Sequence, residues 1–260
     1  MTRNTHKTSQ AKRLDSIRQE LLNTGEVSAA QLARTFKVSH MTIHRDIEIL
    51  EANGEAIRTH GGAAMAKRLT FEFSFRDKQQ QNHPKKQKIA RQAAELVKNG
   101  SVVMLDTGTT TLEIARALIG KKEITIITTS LVIVSELQYS DTIKVILLGG
   151  FLRGGSPDMH GPLTEQNVEQ FKADIAFMGA DAIDASGNTY TNDLRVVNLD
   201  KKMASNASKV VITVDSSKFS STAMCKVLEP GDYDLIITDN EINKKMLNQL
   251  KSKKINLDIV

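Results

Sequence analysis

The sequence predicts an α/β protein in two unequal parts: a small helical module that ends in a hairpin, then a larger domain on a mostly parallel sheet. Three observations carry this expectation. Apolar residues recur at helical spacing through residues 11–50 and give way to a Gly61-Gly62 bend. Beyond Pro84, short continuous apolar runs alternate with helical patterns, as in sheets covered by helices. The excess positive charge is gathered at the front of the chain.

The bulk numbers bound the classes. With 260 residues and 40% hydrophobic content, the chain can bury one large core and one small one. No window approaches the run of about 18 apolar residues that a membrane span needs. The opening stretch MTRNTHKTSQAKR lacks the apolar centre of a secretory signal, so no membrane partner and a cytoplasmic location are expected. The single cysteine, Cys225, supplies neither an intrachain disulfide nor a Cys-based metal cluster and is expected to be an inert thiol. The formal net charge is +5, and residues 1–68 carry eleven Lys/Arg against seven Asp/Glu, whereas the remainder holds 24 against 23. A local excess of this kind is the footprint of nucleic-acid binding, since neutralised phosphates release counterions. A solvated basic terminus gives the same count.

The front elements follow in order. Leu14, Ile17, Leu21 and Leu22 mark one face of a helix running from Ala11 to about Gly25. Ser28 with Gln31 forms a capping signature for a two-turn helix carrying Leu32, Ala33 and Phe36. After a break at Lys37-Val38, Ser39 can cap a third helix, HMTIHRDIEILEANG, with Ile43, Ile47 and Leu50 inward. Two helices about a tight turn make a helix-turn-helix. That phasing turns Met41, Arg45 and Glu48 outward, with His40, Thr42 and His44 at the edges, where a recognition helix reaches base edges. Arg45 can fork onto guanine or phosphate; Ser28, Ser39 and Thr42 can bond phosphate oxygens; His44 can do either. Pairing of Arg45 with Glu48 on a wet face is the competing reading. In EAIRTHGGAAM, Ile57 points one way, flanked by Arg58 and His60, as in a wing.

These residues carry a resemblance. The run from Ser39 to Ile47, SHMTIHRDI, followed by LEANGEAIRTHGGA, resembles the winged helix-turn-helix of the DeoR family of bacterial transcriptional regulators. The family usually reads Thr-Ile-Arg-Arg-Asp there, so His44 departs from it.

Residues 1–65 are therefore expected to form the DNA-binding domain and 66–84 a linker, in which Phe71, Phe73 and Phe75 alternate as in an edge strand. Residues 85–260 form the large domain. Its strands are read at SVVMLD, EITIITT, TIKVILLGG, KADIAFMGAD, KVVITVD, DLIITD and INLDIV, separated by helical segments, with no internal repeat. Ligands in such sheets bind beyond the carboxyl ends of the strands. This selects Asp106 to Thr111, Thr128 to Ser130, Gly149 to Arg153, Gly179 to Asp181, Asp215 to Lys218 and Asp239. Gly108, Thr109 and Thr110 at a helix start, with Lys218, suit a phosphate. Asp106, Asp181 and Asp193 can accept hydrogen bonds from sugar hydroxyls, with Thr129, Ser130 and Arg153 beside them. Each has a plainer role open to it: Thr109 or Thr110 as a cap, Lys218 as a solvated turn residue. DTGTTT is neither a P-loop nor a dinucleotide fingerprint.

The resemblance extends through KKQKIARQAA, LDTGTTT, ITTSLVIV, LLGGFLR, AFMGADAID, VDSSKF and LIITD to the effector domain of the same family. It implies a fold akin to ribose-phosphate isomerase, glucosamine-phosphate deaminase and CoA transferases. It also implies a repressor of a carbohydrate operon, with a double-stranded DNA operator, a phosphorylated sugar as effector, a homo-oligomer (dimer or tetramer), and no cofactor, metal or catalytic residue. Val196 and Asp200 stand where the family commonly carries glutamate and lysine, and Thr129 where asparagine is usual. A phosphosugar isomerase or deaminase, with Asp106, Asp181 or Asp193 as base, is the enzyme alternative. A DNA-architectural protein is a third.

Overall fold

The computed structural model describes residues 3–53, 55–65, 75, 78–154 and 156–260. The chain divides into two compact units, Met1–Asp77 with Gly154–Ser156, and Lys78–Arg153 with Pro157–Val260.

In the smaller unit the order is α1 (Arg3–Thr24), β1 (Glu26–Ser28), α2 (Ala29–Phe36), α3 (His40–Ala52), β2 (Ala56–Thr59) and β3 (Gly62–Met65). Ser28 and Ser39 cap α2 and α3, their hydroxyls accepting from the amides of Gln31 and Thr42. Lys37 ends α2 in the left-handed region at φ 51°, which turns the chain sharply into α3. Ile17, Leu21, Leu32, Ile43, Ile47 and Leu50 close into one core. The strands pair antiparallel in the order β1-β3-β2. In the Gly61-Gly62 bend only the second glycine is sterically required: a Cβ on Gly62 would lie 1.9 Å from the carbonyl oxygen of Val27, whereas Gly61 faces open space. Ile57 is 54% exposed, and the register that sets Ala56 opposite Met65 buries Ala56 instead.

The larger unit holds α4 (His83–Glu95), β4 (Val102–Leu105), α5 (Thr109–Ala117), β5 (Ile124–Thr128), α6 (Leu131–Leu137), β6 (Ile143–Leu147), β7 (Phe151–Leu152) and β8 (Met159–His160). There follow α7 (Pro162–Val168), β9 (Ile175–Met178), β10 (Ala182–Ile183), β11 (Thr189–Thr191), α8 (Val197–Ser205), β12 (Val210–Thr213), β13 (Cys225–Lys226), β14 (Leu235–Thr238), α9 (Lys244–Ser252) and β15 (Leu257–Ile259). Seven strands form one sheet in the order β15-β14-β12-β9-β4-β5-β6, and every neighbouring pair is parallel. All four residues of β9 and of β12 are buried, which is why these segments read as unbroken apolar runs. From β4 the chain steps to β5 and β6 on one side; β9, β12, β14 and β15 extend the other. The order therefore reverses between β4 and β9, at whose carboxyl ends lie Asp106 and Gly179.

Residues 78–84, placed in the linker by the sequence, pack with the larger unit. Phe71 and Phe73, read as an edge strand, lie outside the described residues, and Phe75 is helical.

Candidate DNA-reading surface and effector site

The outward face of α3 is set by what its other face buries. Ile43, Ile47 and Leu50 are fully buried, and so is Asp46, between Ile43 and Ile47 on the inner side. Arg13 of α1 clamps the Asp46 carboxylate with two bonds, Nε at 2.5 Å and Nη2 at 3.2 Å, and Gln10 adds a third at 3.2 Å. This clamp fixes the rotation of α3 about its axis. Met41 is left 65% exposed, with Arg45, Glu48 and His40 also exposed and Thr42 and His44 half-buried. Ser39 Oγ lies 2.9 Å from Thr42 Oγ1 at the helix start, and Ser28 is exposed at the start of α2.

Glu48 pairs not with Arg45 but with Arg58 of β2, at 3.2 Å. Arg58 also lies 3.4 Å from Nδ1 of His44, and its amide donates to Glu51. Arg45 makes no hydrogen bond or ion pair among the described residues, so its guanidinium remains available. His60 is exposed in the turn between β2 and β3.

In the larger unit DTGTTT lies at the reversal of strand order. Gly108 precedes α5 with no side-chain cap, so the first-turn amides meet no side-chain acceptor. Thr110 and Thr111 are buried, and Thr111 Oγ1 donates to the carbonyls of Asp106 and Gly108, which holds the loop closed. Thr109 donates to the carbonyl of Lys78 at 3.5 Å. The same carbonyl accepts from Nζ of Lys86, on α4. Lys86 is only 4% exposed and has no carboxylate within ion-pair distance among the described residues. Burial pushes its ammonium down to about 8, with Lys218 and Lys78 adding to the fall and Asp215 and Glu113 opposing it. Lys218 lies in a short turn capped by Asp215, which in turn accepts from Asn82 beside α4.

Next to this basic end lies an acidic one. The Asp106 carboxylate bridges the two central strands, accepting from the Thr107 amide at 2.5 Å and the Gly179 amide at 3.1 Å. Burial pushes it up to about 6 against those two hydrogen bonds, and Asp158 adds to the rise. Asp200, on the first turn of α8, is pushed well above the usual carboxylate range by burial and then by Asp106. Arg153 is held between Asp158 at 2.8 Å and Asp193 at 3.0 Å. Asp193 is drawn well below its ordinary range, foremost by hydrogen bonds from Arg195. Asp181 accepts from the Asn192 amide and from Thr191, with Lys78 at 3.9 Å. Thr129 faces Thr107, the two hydroxyls 3.1 Å apart, whereas the buried Ser130 spends its hydroxyl capping α6.

Lys86, Asp158 and Asp200 were not among the site residues selected from the sequence. Lys86 was legible: it shares the inner face of α4 with Ile89, Ala90 and Ala93, where a lysine is out of place. Asp158 follows no apolar run and gave no such signal. A cleft of about 630 Å³ lies elsewhere, at the amino ends of β12 and β14 between Lys201, Lys226 and Tyr233. Among the described residues, no group of three or more His, Cys, Asp or Glu is arranged to hold a metal ion, and no helix is long and apolar enough to cross a membrane.

Comparison with known proteins agrees with this division. The family described as "DeoR-like helix-turn-helix domain" matches residues 13–68, and "DeoR C terminal sensor domain" matches residues 81–240. The chain is 31% identical over 255 residues to the "Putative aga operon transcriptional repressor" of Escherichia coli O157:H7, covering 97% of this chain and 95% of that protein. It is 30% identical over 250 residues to the "Glycerol-3-phosphate regulon repressor" of Escherichia coli K12, covering 96% and 99%. Among solved structures, ribose 5-phosphate isomerase A of Methanocaldococcus jannaschii is similar at a TM-score of 0.40 and 25% identity, over 53% of this chain and 55% of that one. With a helix-turn-helix in front, a sensor domain behind and matched relatives along nearly its whole length, the chain belongs to the DeoR family of transcriptional regulators.

Proposed function

We propose that the protein represses a carbohydrate-utilisation operon and leaves its operator when a phosphorylated sugar binds at the carboxyl end of β4. The observation that carries this reading is Lys86: a buried ammonium with no carboxylate partner among the described residues, sharing the Lys78 carbonyl with Thr109 at the uncapped start of α5. A buried cation beside free helix amides is a site for an anion. Lys218 adds charge there, and Asp181, Asp193 and Thr129 offer acceptors and a hydroxyl to the sugar. The relatives named as repressors of the aga operon and of the glycerol-3-phosphate regulon support the carbohydrate setting. Ser28, Ser39, His40, Met41, Thr42, His44, Arg45, Glu48, Arg58 and His60 form the DNA contact set in this reading.

The role is sensing, in a cytoplasmic homo-oligomer that engages repeated half-sites. Asp106, the natural candidate for a catalytic base, has each carboxylate oxygen tied to a backbone amide, which suits a structural bridge between strands. Thermal shift with inorganic phosphate and a panel of sugar phosphates tests the site. The wild type is expected to gain melting temperature, and Lys86→Met and Lys218→Ala to lose that gain while staying folded. A wild type that responds to no phosphate compound, or a Lys86→Met variant that responds equally, contradicts the assignment.

A further inference from the structure

The acidic end of the candidate site carries more negative charge than a neutral sugar requires. Asp106, Asp158 and Asp181 all act on Asp200 there, and Asp158 acts on Asp106 as well. Arg153 is taken by Asp158 and Asp193, and Lys78 pairs with Asp181. Asp106 is held by amides alone. Asp200 is nine-tenths buried, faces the other carboxylates, and makes no hydrogen bond or ion pair among the described residues. A buried carboxyl without a partner is costly, so its persistence here calls for a group that enters with the ligand. An organic cation carried by the ligand is such a group. Val196, one helical turn before Asp200, supplies no charge either.

Building on the phosphate-site reading, we propose that the effector is a phosphorylated amino sugar whose free ammonium is received between Asp106 and Asp200, with its phosphate at Lys86 and the start of α5. The pocket is then bipolar, with a cation for the phosphate and an acid pair for the amine. A phosphosugar bearing only hydroxyls would leave Asp200 unmet, and an N-acetylated one would bring a bulkier, uncharged amide to the same place.

Calorimetry on the full chain separates the two halves of this scheme. The probes are inorganic phosphate, hexose 6-phosphates, the corresponding aminodeoxyhexose 6-phosphates, and their N-acetyl derivatives. At least one aminodeoxy compound is expected to bind about tenfold or more tightly than both its parent and its N-acetyl derivative. In Asp200→Asn, which preserves shape, that advantage should fall to about twofold or less, while the parent hexose phosphate binds as well as before or better. Should the variant fold poorly, the wild type still decides, because the amine preference should strengthen as pH rises from 5 to 7. The inference is overturned if every aminodeoxy compound binds no better than its parent, or if Asp200→Asn keeps the preference. Binding of hexose phosphates without an amine preference leaves the phosphate site standing. Failure of every phosphate compound removes both.

Discussion

Two buried charges, one in each unit, carry much of the physical content. In the smaller unit Asp46 is fully buried and accepts two hydrogen bonds from Arg13, itself 11% exposed. Breaking a buried pair leaves a charge without its partner, and Arg13 can recover some water. Asp46→Ala is expected to destabilise this unit toward the lower end of about 3–5 kcal/mol, read as a lower urea midpoint. A midpoint within error of wild type contradicts the clamp. In the larger unit Lys86 has its proton affinity lowered in the folded state, from the ordinary 10.5 to about 8. Between those values the unfolded chain binds the extra proton, so stability should rise with pH from about 8 to 10.5, by at most about 3 kcal/mol. Lys86→Met should flatten that rise; an unchanged pH profile would show that Lys86 is not the group responsible. Lys86 was legible on the apolar face of α4, but the Asp46–Arg13 pairing was not. Asp46 stood on the inner face among Ile43 and Ile47, but its partner lies 33 residues away, and only the fold brings Arg13 to it.

At the scale of elements, legibility followed length and period. Helices α2 and α3 and the seven strands of the large sheet lie within the segments their apolar patterns marked, most clearly at β9 and β12, where four consecutive buried residues leave a strong mark, whereas α1 begins at Arg3, ahead of the expected Ala11. Strands of two or three residues, such as β1, β7, β8 and β10, carry no period to read and are set by their pairing partners. The hairpin shows the same limit: Ala56 and not Ile57 faces the core, a choice made by register. For α3 the helical period alone sufficed to turn Met41, Arg45 and Glu48 outward, but it did not reveal that Glu48 would reach across to Arg58. With Glu48 so engaged, Arg45 is left without a partner among the described residues. Arg45→Ala should weaken operator binding by about 1–3 kcal/mol with circular dichroism unchanged. Undiminished affinity in a folded variant would move the contact surface off this face.

For the molecule as a whole, charge and chemistry are divided between the units. The basic excess lies in the first 68 residues, while the buried ionisable groups around DTGTTT lie in the larger unit. The DTGTTT loop itself was found because strand ends collect ligand residues, and the reversal of strand order at β4 and β9 gives that position its physical reason. Linkage then sets the requirement for a repressor: an effector can weaken DNA binding only if it binds the DNA-free state more tightly than the DNA-bound one. Reciprocity makes this measurable in a single titration. Fluorescence anisotropy of a labelled operator duplex, followed at fixed salt with and without a saturating phosphosugar found by the thermal screen, tests the central claim most directly. The expected result is a fall in operator affinity of about fivefold to 150-fold for the wild type and none for Lys86→Met. Equal operator affinity with and without bound phosphosugar in the wild type would contradict it.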